Sequence, residues 1–103
     1  MKLEEIASLL KTTGYPVAYC YFAKGKPPDM PFVVYQEVYS NNFSADGAVY
    51  LPVRHIQIDL YTAKKQPEAE GKVESALSSF FWNKQENYNV DEKIYRSTYE
   101  IEV

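Results

Sequence analysis

His55 is the only histidine and Cys20 the only cysteine of the chain, so a Ser-His-Asp triad or a Cys-His pair would have to be built on these two residues. General-base work needs an activating neighbour, and the sequence displays none beside His55. If Cys20 points into a core, the two residues also have opposite parity on their own strands. His55 therefore reads as a solvated strand histidine. Asp46, Asp59, Glu68 and Glu70 could be imagined as carboxylate ligands. One histidine and one cysteine give no zinc cluster, however, and no acidic loop has calcium-binding spacing. Gly14, Gly25, Gly47 and Gly71 are scattered and form no phosphate cradle. The expectation is a non-enzymatic chain without cofactor, metal or small-molecule substrate.

Charge narrows the partners further. The formal net charge is −3, which argues against specific or non-specific nucleic-acid binding, because displacing counterions from phosphates takes concentrated lysine and arginine. The two basic spots, Lys24-Gly25-Lys26 beside three prolines and Lys64-Lys65, read as solvated turns. Cys20, within Ala18-Tyr19-Cys20-Tyr21-Phe22, reads as a buried small hydrophobe, and a reducing compartment fits a lone cysteine. No apolar run approaches the roughly 20 residues of a membrane helix, and the start Met1-Lys2-Leu3-Glu4-Glu5 lacks a signal-peptide pattern. A cytosolic product with no membrane partner is expected, so the Asn42-Phe43-Ser44 sequon reads as an accident. The unusual entry in the composition is tyrosine, with ten copies. Each packed ring must still satisfy its hydroxyl, so some of these rings belong at a surface or interface.

The elements that would position these residues follow from periodicity. At 103 residues the chain is a single domain, residues 1–103, with one core. Leu3, Ile6, Leu9 and Leu10 recur at helical spacing, and Thr12-Thr13-Gly14 with Pro16 stops a helix over 2–12. Val17 to Phe22 and Phe32 to Tyr39 read as strands, separated by a stiff proline loop. Ser40 to Pro52, with its Asn-Asn, Ala-Asp-Gly and Pro signals, reads as a long loop holding a short extended piece at Ala48 to Leu51. Val53 to Thr62 alternates cleanly: Ile56, Ile58 and Leu60 face one way, and His55, Gln57, Asp59 and Tyr61 the other. Pro67 suits the first position of a second helix, Glu68 and Glu70 suit its dipole, and Glu68 to Lys72 is a favourable pair. Val73, Ala76, Leu77, Phe80 and Phe81 form its apolar stripe, with an end at or just beyond Asn83. Tyr88 to Val103 reads as one or two strands with a turn at Asn89 to Lys93.

The fold class that results is α+β, in the order α-β-β-β-α-β-β. Four to five strands form an antiparallel sheet, and two helices can cover only one of its faces. The other face is expected to gather Tyr19, Tyr21, Tyr35, Tyr39 and Tyr61 into an aromatic interface. The Ser40 to Pro52 loop, which carries Phe43, Asp46, Val49 and Tyr50, is a second interface candidate.

The chain resembles the small tail-completion, or head-to-tail joining, proteins of siphophages and of prophages in Gram-positive bacteria. The resemblance rests on an ordered set of pieces: Gly14-Tyr15-Pro16-Val17-Ala18-Tyr19, Pro31-Phe32-Val33-Val34-Tyr35, Asn41 and Asn42 before Ala45-Asp46-Gly47, and Ile58-Asp59-Leu60-Tyr61-Thr62. Glu70, Val73, Glu74 and Leu77, then Tyr95 and Tyr99, continue it to the end. It implies a non-enzymatic virion protein, made in the host cytoplasm, that forms a homo-oligomeric ring, expected as a hexamer, at the head-proximal end of the tail. Its partners would be itself, the tail tube and the head connector. The competing expectation is a small monomeric or dimeric cytosolic module that binds a protein through an aromatic sheet face.

Overall fold

Residues 3–22, 28–45 and 48–103 are described by the computed structural model, without the side chains of residues 39–45 and 48–53. The elements are α1 (Leu3–Lys11), β1 (Val17–Tyr19), β2 (Phe32–Ala45), β3 (Ala48–Thr62), α2 (Pro67–Ala76), β4 (Trp82–Asn89) and β5 (Ile94–Glu102). The order is the expected α-β-β-β-α-β-β, and the fold is α+β. The five strands lie in the order β1-β2-β3-β5-β4. All neighbours are antiparallel except β1 and β2, so the sheet is mixed where a purely antiparallel one was expected. β1 ends where Cys20 takes a φ of 64°, and a parallel neighbour needs a connection longer than a hairpin turn.

The alternation in β3 sets the core. Ile56, Ile58 and Leu60 are fully buried, and on the same face lie Val33, Tyr35, Tyr99 and Ile101. Ile6 and Leu10, one turn apart in α1, and Ala69, Val73 and Leu77 of α2 close over them. Both helices therefore sit on one face, as two amphipathic helices of this length must. Each fully buried aliphatic side chain contributes about 1.5–3 kcal/mol relative to exposure.

Local chemistry fixes the helix ends. The Thr13 hydroxyl donates to Leu10 O at 2.7 Å and accepts from Tyr15 N–H at 3.2 Å, and Gly14 takes the left-handed φ of 84° that a helix terminus favours. In α2, Pro67 occupies the first turn, where its missing donor is harmless. The helix stops at Ala76, well before Asn83, and passes into tight turns held by Ser78 N–H to Ser75 O and Phe80 N–H to Leu77 O. Trp82 to Asn89, expected in part as helix end, is strand instead.

Three other expectations change. Phe81, placed in the apolar stripe, is fully exposed, while Phe80 packs against the core. Cys20 is exposed, with its thiol 3.7 Å from Gln36 Oε1. Ser40–Ala45 and Ala48–Pro52 are not loop but strand, the distal part of a hairpin in which Ala45 pairs with Ala48. Asp46-Gly47 between them is among the strongest two-residue hairpin signals, and it outweighs the turn signal of Asn41-Asn42.

Candidate functional site

The tyrosines do not gather on one sheet face. Tyr35 is 9% exposed and belongs to the helix-covered core, and burial raises its hydroxyl pKa. Tyr19, its ladder partner, meets it edge-on at 5.2 Å on the same face. Its hydroxyl accepts from Glu37 N–H at 3.3 Å. Tyr61 lies on the opposite face, stacked on Phe32 at 5.0 Å, and Phe22 meets Phe32 edge-on at 5.4 Å. Tyr21 follows the break at Cys20 and is exposed. Tyr39 is paired in the ladder with His55, and its side chain lies outside the described residues. The separation follows from strand parity: Tyr35 is in register with the core residue Ile58, whereas Tyr61, one step beyond the core residue Leu60, points to the opposite face.

Beyond Tyr61 the uncovered face is polar but not open. Asp59 accepts from Thr98 Oγ1 at 2.6 Å and Gln57 Nε2 at 2.9 Å. His55 is 5% exposed rather than solvated, and its Nδ1 lies 3.3 Å from Glu100 and 3.8 Å from Glu102. The ladder places these partners, because His55, Gln57 and Asp59 pair with Glu102, Glu100 and Thr98 of β5. The Cys20 thiol is aimed at Gln36, not into a nucleophile–base arrangement. Among the described residues no three His, Cys, Asp or Glu side chains converge so as to hold a metal ion.

A second polar constellation, missed from the sequence, ties α2 to the sheet. The buried Glu70 binds Lys65 Nζ at 2.7 Å and also Lys84. Lys84 reaches Glu74 at 2.9 Å, Glu74 accepts from Tyr99 Oη at 2.8 Å, and Glu86 accepts from Lys65 and from Tyr95 Oη. Hydrogen bonds from Lys65 and Tyr95 hold the Glu86 pKa down, to about 2. Burial opposes the charge of Glu74, but the bonds from Lys84 and Tyr99 outweigh it and lower its pKa. Burial and the Glu74 bond push the Tyr99 hydroxyl far up. Lys72, expected beside Glu68, places its Nζ 5.1 Å from the Tyr15 ring centre. The signal for the network was the helical spacing of Glu70 to Val73 and Leu77, which puts a carboxylate on the buried face. Each charged side chain in it has an oppositely charged partner, while Glu70 Oε2 is buried without a hydrogen bond, and the network ties α2 to the sheet.

The hairpin is the other feature that stands out. β2 and β3 have 14 and 15 residues, but β1 flanks β2 only at Val33–Tyr35 and β5 flanks β3 only at His55–Thr62. Among the described residues, Val38–Ala45 and Ala48–Val53 are laddered only within the β2–β3 hairpin, with no third strand beside them, and form an arm of that hairpin. Ladder irregularities fall between Glu37 and Tyr39 and between Phe43 and Ser44, the kind of bulge that bends and twists a strand. Phe43, Val49 and Tyr50 stand on this arm, with side chains outside the described residues, and Asp46 lies outside them altogether. No family model matches the chain, and no curated protein matches it significantly.

Proposed function

We propose that this chain is a non-enzymatic structural protein of a phage or prophage virion that completes the tail and joins it to the head connector as a ring of identical subunits. The observation that carries this reading is the arm. A two-stranded ribbon is marginal in water without a third strand or a packing partner, and this one carries Phe43, Val49, Tyr50, Leu51 and Val53 with no charged residue in either strand. Such a ribbon is suited to contact another protein. In a ring each subunit shows its neighbours two different surfaces, and an arm reaching out of a rigid body supplies one of them. The body suits a structural role, because its buried Glu70 and Asp59 are both held by partners within the subunit. The ordered sequence resemblance to tail-completion proteins suggests the identity of the assembly, and the separation of Tyr35 from Tyr61 leaves a binding module without the five-tyrosine face, with only Phe22, Phe32 and Tyr61 together among the described residues.

The test is assembly. Purified protein is added to tail tubes that lack their head-proximal component, and the products are viewed by negative-stain microscopy and scored for joining to heads. Ring density on one end of the tube and restored joining are expected. Bare tube ends at saturating protein would sink the reading. Phe43→Ser with Tyr50→Ser should leave the monomer folded and abolish capping.

A further inference from the structure

Arg54 and Val103 exchange both backbone hydrogen bonds, at 3.0 and 2.9 Å, and this fixes which way every backbone group points along the neighbouring strands. Arg54 points away from β2, so Pro52, two residues earlier in an unbroken register, does too. The bare edge of β3 in the arm is thus blunted by a residue with no donor. On β2 the ladder pairs Ser40 with Arg54 and Asn42 with Pro52, so Ser40 and Asn42 aim N–H and C=O outward. Among the described residues the β2 edge of the arm is bare, with the N–H and C=O of Ser40 and Asn42 unpaired in the ladder. Carried across β5, the same alternation turns Asn83, Gln85 and Asn87 of β4 inward and leaves Trp82, Lys84, Glu86 and Tyr88 facing outward on the sheet's last strand.

These two edges match. β4 has 8 residues, and Val38–Ala45 is of the same length. Natural edges are protected by proline or by unpaired inward or lateral charge. The arm stretch has neither, and Tyr39–Phe43 keep an unbroken register between its two ladder irregularities; the charges of β4 are neutralised within their own subunit, Lys84 by Glu70 and Glu74 and Glu86 by Lys65. Pairing of β4 with β4 across a two-fold axis would leave every arm edge bare. Pairing of arm with β4 satisfies both.

Resting on the ring reading above, we infer that the β2 edge of one subunit's arm adds as a sixth strand to the β4 edge of a second copy of this chain. Backbone hydrogen bonds give the contact its strength, as in other strand additions. Because donor edge and acceptor edge differ, the contact is heterologous, the kind of contact from which a ring is built when its rotation closes.

Two variants test it. Asn42→Pro removes an outward donor from the arm, and Tyr88→Pro removes one from β4; neither donor serves a ladder within the subunit. Each should weaken self-association about tenfold or more in sedimentation. An equimolar mixture should recover one contact, the Tyr88→Pro arm on the intact β4 of Asn42→Pro, and give a heterodimer but no ring. Asn42→Pro that dimerises alone, with no gain on mixing, would show two-fold β4 pairing and overturn the inference. Rings that persist in both variants would overturn this contact and leave the ring reading standing, whereas wild-type protein that stays monomeric at millimolar concentration and on tail tubes would remove both. Near-ultraviolet dichroism of Trp82 checks the fold. Should either proline variant unfold, Asn42→Lys and Tyr88→Lys replace them with the same outcomes.

Discussion

β3 passes through two environments. From His55 to Thr62 it has a strand on each side and two helices over one face, and Ile56, Ile58 and Leu60 are fully buried. From Ala48 to Val53 it has one neighbour, β2. The first half is stabilised on both edges within its own subunit; among the described residues the second half has β2 alone beside it. The contrast teaches that a continuous strand need not be uniformly stable.

The sharpest way to break the comparison is to damage each half. Ile58→Ala should cost about 4 kcal/mol in chemical denaturation, the range for large-to-small changes at fully buried sites. A cost near zero would mean that the body is not the cooperative unit. Glu70→Gln should cost about 3 kcal/mol, at the lower end for a broken buried pair because Lys65 and Lys84 keep partial access to water.

Acid should act on the same network. Glu86 and Glu74 have depressed pKa values, so their stabilisation is present above the unfolded glutamate value of about 4.3 and is lost as pH falls through the folded values, for Glu86 about 2. The melting temperature should fall across that window, and less steeply in Glu86→Gln. Smallest on stability is Phe43→Ser with Tyr50→Ser, expected within about 0.5 kcal/mol of wild type. Its signature is in hydrogen exchange: arm amides should exchange faster than those of His55–Thr62 in the free protein, and become protected only on assembly.

The element order and the core face of β3 were legible in the sequence because alternation and helical spacing report one-sided burial. β4 was not. Trp-Asn-Lys-Gln-Glu-Asn-Tyr-Asn has no apolar alternation, since an edge strand lying beside a polar network needs little. The early end of α2 was hidden because Phe80 and Phe81 continue a helical stripe, whereas the backbone leaves the helix at Leu77 and exposes Phe81. The strand character of Ser40–Ala45 and Ala48–Pro52 is hidden in the sequence because Asn41-Asn42 and Pro52 give loop signals on either side of Asp46-Gly47. Tyr35 and Tyr61 were put together because a one-residue difference in parity, invisible without the register, decides the face.

The break at Cys20 has a practical consequence. Its thiol is exposed beside Gln36, at the end of β1 on the far side of the sheet order from β4, and it is the chain's single cysteine. One dye can therefore be attached per copy without touching the last strand. On tails immobilised one by one, the number of photobleaching steps at each end then counts the subunits of the assembly directly.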